Sequence, residues 1–159
     1  MLSQMQFNIQ YEDAIDLPSG EIVNVFDKLS FIRIIEVSEQ SPVMMFHATL
    51  MEHRSIEDVN AIPAMELQEV FFTKGNDVLF SARMSGPIAR LIVSQTDAWP
   101  IAPILLESKQ LVLSMQGTPQ GLSTFLNQIK QLIGPRFTLT VNKSYQGEWL
   151  TAPNMSPRR

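Results

Sequence analysis

The sequence predicts an α+β domain built on a largely antiparallel sheet, and three observations carry that reading. Short runs of alternating apolar and polar residues recur along the chain. Turn dipeptides separate them, "GND" at 75–77 and "GP" at 86–87 among them. One long segment, 118–134, has helical spacing instead, bounded by a capping threonine and a terminal glycine.

From the N-terminus, "MQFNIQY" (5–11) places Met5, Phe7, Ile9 and Tyr11 on one face of a half-buried strand. "LPSGEIVNVFDKL" follows. Ser19 suits an N-cap, and Ile22, Val25, Phe26 and Leu29 fall at helical spacing, which predicts a helix. "FIRIIEV" (31–37) and "VMMFHATLME" (43–52) read as two strands joined by a Ser-Pro turn. "SIEDVNAIP" (55–63) is long enough for one helical turn before Pro63.

"MELQEVFFT" and "VLFSARMS" flank the "GND" turn as a hairpin, and "IARLIVSQT" (88–96) reads as a further strand. The region 63–96 is therefore expected to be a central β-meander. "DAWPIAPILLESKQ" (97–110) holds two prolines, which argues against a central strand. "KQLVLSMQG" (109–117) is a strand. "TPQGLSTFLNQIKQLIG" (118–134) is a helix with Thr118 as N-cap, Pro119 at the first helical position and Gly134 at the end. "RFTLTVNKSY" (136–145) is the last strand.

This order gives two βαβ-type units of the ferredoxin-like or ACT-like kind, at about 1–60 and 97–147, with right-handed parallel crossovers expected. Residues 1–150 form one α+β domain, and 151–159 form a linker. That tail, "TAPNMSPRR", ends on a helix-start signal, Ser156 followed by Pro157.

Composition narrows the function. With 45% apolar and 18% charged residues, the chain is an ordinary globular one. It has no cysteine, which excludes disulfides, thiolate metal sites and cysteine nucleophiles. No apolar run reaches membrane length, and the N-terminus lacks the features of a signal peptide, so the cytoplasm is the expected compartment. The net charge is −4. Residues 1–60 carry ten acids against three bases (−7), and the remainder six acids against nine bases (+3). Such a chain is a poor DNA binder by itself.

No phosphate-cradling glycine loop, HExxH or GxSxG is present. The only histidines are His47 and His53. On one continuous strand they would share a face and pair on a metal, but a third ligand is missing and the simpler account is a strand histidine plus a loop histidine. Paired acids such as Glu12-Asp13 and Glu57-Asp58 suit solvated loops or a helix start. Trp99, beside Pro100, is a candidate for lining a ligand pocket, though closing the core is the commoner fate of a tryptophan. Arg83 and Arg90, on the preceding strands, are candidates to meet an anion. Thr118 at a helix N-terminus is another, with plain capping as the alternative. No enzyme, cofactor or resident metal is expected.

Residues 97–159 also carry a resemblance. "WPIAPILLESKQLVLSMQG", "TPQGLSTFLNQIKQL" and the closing "MSPRR" are similar to the regulatory region of archaeal helix-turn-helix transcriptional regulators of the bacterio-opsin-activator type. In that family a β-α-β block precedes a C-terminal DNA-binding domain, and "MSPRR" resembles the opening of that domain. The helix-turn-helix itself is absent from this sequence. The resemblance implies a regulatory domain that senses a signal or forms a homodimer, with DNA bound only through a domain following residue 159 and with a possible small-molecule effector. The alternative is a stand-alone ACT-like small-molecule-binding module.

Overall fold

The computed structural model describes residues 2–10, 22–38, 40–95, 97–107, 110–133 and 139–145. Eight strands form a single sheet: β1 (Ser3–Gln10), β2 (Phe26–Glu36), β3 (Val43–Leu50), β4 (Met65–Lys74), β5 (Asp77–Met84), β6 (Ala98–Glu107), β7 (Gln110–Gly117) and β8 (Leu139–Tyr145). The helices are α1 (Ile22–Val25), α2 (Pro87–Val93) and α3 (Pro119–Ile133), with a 3-10 helix at Ile56–Ala61 between β3 and β4. The sheet order is β4-β5-β3-β2-β6-β7-β1-β8, and every neighbouring pair is antiparallel. The α+β reading with a mainly antiparallel sheet therefore holds.

The strand order has an internal two-fold. The chain divides into two runs of identical element order, strand-helix-strand-strand-helix-strand, at the β4–β5 turn. Exchanging each element for its counterpart (β1 for β5, β2 for β6, β3 for β7, β4 for β8) turns the sheet order into its own reverse. The axis passes between β2 and β6, the two central strands. The first strand of each run lies in the other run's half of the sheet: β1 between β7 and β8, β5 between β3 and β4.

This arrangement corrects the expected crossovers. β1 and β2 are separated by β7 and β6, and the alternation of direction makes them antiparallel. The C-terminal β7-α3-β8 does return parallel, with β1 between its strands.

β1 shows why the sheet has one helix-covered face. Ser3, Met5, Phe7 and Ile9 are buried, while Gln4, Gln6, Asn8 and Gln10 are turned to the open face. α3 lays Leu122, Phe125 and Ile129 over that inward face, all fully buried at helical spacing. A second aromatic centre lies in the other half, where Phe80 stacks with Phe26 and with Phe46 at centroid distances of 5.8 and 5.5 Å.

Three segments depart from expectation, each for a local reason. The first helix is a single turn, and Phe26 and Leu29 belong to β2. A β-bulge between Phe26 and Lys28 brings residues three apart to the same face, which imitates helical spacing. The expected strand 88–96 is instead α2, so no third meander strand follows the β4–β5 hairpin. Gly86 caps α2, Pro87 opens it, and Ala89 and Ile92 form its buried pair. Short apolar runs of this kind fit either period. The proline-containing segment 98–107 is strand β6. Its ladder to β2 begins only at Ile104, and its ladder to β7 is interrupted between Ile101 and Leu105. Pro100 and Pro103 thus fall where no N–H is owed to β2.

Candidate functional site

Burial varies slightly across the core. Beneath α3, Phe7, Leu113, Met115, Leu122, Phe125 and Ile129 have no exposure at all. Along the β2–β6 seam the inward residues keep between 5% and 9%: Leu29, Phe31, Met44, Phe46, Met84, Ile104 and Leu106. They surround an apolar cavity of about 100 Å³. Its floor comes from β2, β3 and β6 through Leu29, Phe31, Met44, Phe46, Ile104 and Leu106. Ile22 of α1 and Ala89 and Ile92 of α2 form the walls. Ala64, Met84, Gly86 and Pro87 also line it.

The cause of the cavity is side-chain volume. α3 presents Phe125, Leu122 and Ile129 to the sheet, whereas α2, among its described side chains, presents the smaller pair Ala89 and Ile92. Ala64 and Gly86 meet nearby, so closely that a Cβ at Gly86 would lie 3.3 Å from that of Ala64. Small residues next to large strand side chains leave a void that the helices do not fill. The cavity is lined from both runs of the chain, by α1, β2 and β3 of the first and by α2, β6 and β7 of the second.

The four residues singled out in the sequence lie elsewhere and are not brought together. Arg83, on β5, is committed to the fold: its guanidinium donates to the Ser41 carbonyl at 2.9 Å and pairs with Glu36 at 3.5 Å. Arg90 is on α2, not on a strand. It is exposed and lines a shallow hollow with Gln40, Ser94 and Gln128. Trp99 is in β6 on the open face, 42% exposed, and its Nε1–H donates to Gln116 Oε1 at 3.2 Å. Thr118 caps α3, its Oγ1 accepting from the Gly121 N–H at 3.0 Å.

The histidine pair loses its geometric premise. His47 is an exposed residue of β3, which ends at Leu50, and His53 sits in a turn with φ of 68°. No cluster of three metal-ligating side chains occurs among the described residues. No helix among them is long and apolar enough to cross a membrane. The Ser19 cap, the Glu12-Asp13 pair, Gly134 and the 151–159 tail lie outside the described residues.

No signal in the sequence marked the cavity residues. Each is an ordinary apolar residue, and only the opposition of Ala64, Gly86 and Ala89 to bulky strand residues distinguishes them. Compared with known proteins, the chain matches no protein-family model and no curated protein.

Proposed function

We propose that this chain is a non-catalytic regulatory domain of a helix-turn-helix transcription regulator, sensing an effector in its central cavity. The observation that carries the reading is the position of that cavity. It is lined by elements of both runs, α1 with β2 and β3 and α2 with β6 and β7, so an occupant touches both groups at once. A ligand that binds one spacing of those groups better than another shifts the domain between them.

The net charge of −4 supports assigning DNA contact to a separate domain. Self-association is supported by the edge strand β4, where Val70, Phe71 and Phe72 are exposed in succession. A dimeric DNA reader needs such a two-fold partner.

The deciding experiment is the intact mass of the product made in cells, paired with DNA retardation and light scattering. The expected product is longer than 159 residues and binds duplex DNA. Residues 1–159 alone are expected to self-associate and leave DNA unretarded. A cellular product ending at Arg159 would replace this reading with that of a stand-alone binding module.

A further inference from the structure

We infer that the central cavity takes one small uncharged apolar molecule, such as an aromatic ring or a short branched hydrocarbon, and rejects amino acids and other charged metabolites. This deepens the effector reading and rests on it.

The lining chemistry decides the class. Apart from the thioether sulfurs of Met44 and Met84, no lining side chain carries a heteroatom. An ionised carboxylate or ammonium placed there would lose hydration and meet no charged or polar side chain, a cost of several kcal/mol. Water fares poorly for a related reason, since a buried water needs two to four polar partners. The apolar lining thus holds water weakly, and an apolar occupant displaces solvent at little cost.

Size agrees with this class. Cavities of about 150 Å³ lined by aliphatic and aromatic groups accept benzene. This one measures about 100 Å³. Met44 and Met84 are unbranched and flexible, so rotation of either side chain supplies the difference. Pro87 and Leu111, the lining residues that are only half-buried, mark the route of entry.

Methionine methyl NMR tests the inference directly, because the chain places reporters both inside and outside the cavity. Met44 and Met84 line it, whereas Met5 and Met115 pack under α3. Benzene is expected to move the Met44 and Met84 methyl signals saturably and to leave those of Met5 and Met115 in place. Benzoate and phenylalanine, each a ring carrying charge, are expected to move neither pair.

Ala89→Leu fills the space, and benzene affinity is expected to fall at least about tenfold. Ala89→Val, a smaller intrusion, serves if the Met5 and Met115 signals show that Leu disturbs the fold. If benzoate moves Met44 and Met84 as benzene does, the ligand class is wrong while the effector site stands. If neither compound moves them, both the class and the effector reading fall.

Discussion

The ring of Phe125 meets the ring of Phe7 edge-on, with centroids 5.2 Å apart and planes at 80°. One residue comes from the first strand and the other from the last described helix, and both are fully buried. This contact fastens α3 to a strand more than a hundred positions earlier. Phe125→Ala is expected to cost about 3–5 kcal/mol in urea unfolding, through lost burial and the cavity left behind. A double-mutant cycle with Phe7→Leu should return a coupling of about 0.5–1.5 kcal/mol.

Gly121 sits in the first turn of α3, where replacing glycine by alanine ordinarily stabilises a helix by about 1 kcal/mol. Here the sign should reverse. A Cβ at Gly121 would run into the carbonyl oxygen, carbonyl carbon and Cβ of Asp97, and one at Gly117 would strike the same carbonyl oxygen. That carbonyl accepts the Thr118 N–H at 3.0 Å, so the chain before β6 is clamped against the start of α3. Gly121→Ala is expected to lower the urea midpoint. An unchanged or raised midpoint would mean that the Asp97 backbone yields freely.

His53 adopts a φ of 68°, a conformation that costs an L-residue about 1–2 kcal/mol. Its side chain is exposed. His53→Gly relieves the strain and offsets it partly with unfolded-state entropy. A net gain of about 0.5 kcal/mol is expected from thermal or urea unfolding. A loss would show that the imidazole contributes more than its exposure suggests.

Arg83 joins β5 to the β2–β3 turn through the Ser41 carbonyl and, at longer range, through Glu36. The carboxylate is 58% exposed, so the ion pair is solvent-screened. A double-mutant cycle between Arg83→Ala and Glu36→Ala should give about 0.5 kcal/mol or less, fading in high salt. Arg83→Ala alone should cost about 1–2 kcal/mol, because the Ser41 carbonyl loses a charged donor.

Much of this architecture is legible where one local rule acts alone. Alternation finds β1, strand-like composition finds β3, and the turn at Gly75–Asp77 finds the β4–β5 hairpin. Gly75, with φ of 61° at the first central position, makes the two-residue connection that pairs Lys74 with Asp77. Capping chemistry finds α3 from Thr118 and Pro119. The reading fails where two rules compete. The bulge in β2 gives Phe26 and Leu29 helical spacing on a strand, and the β-branched run in α2 gives strand composition on a helix. The prolines of β6 are tolerated only because its ladder to β2 starts beyond them, a fact about pairing that no single segment contains. Strand order and the cavity were out of reach for the same reason. The cavity is a shortage of volume between Ala89, Ala64 and Gly86 and their partners from other elements, and a missing volume leaves no motif.

The exchange of first strands has a consequence in time. β1 has no place in the sheet until β7 exists, because its ladder pairs Ser3 with Gly117 and Gln10 with Gln110. A ribosome making this chain must release more than a hundred residues before its opening strand can dock. Pairings so distant in sequence are slow to form. Refolding from urea should accordingly show secondary-structure signal in a slow main phase, and severing the chain between Gly75 and Asn76 should leave two pieces that stay together. Each piece would hold the strand that completes the other, so neither half of the chain has a finished sheet of its own.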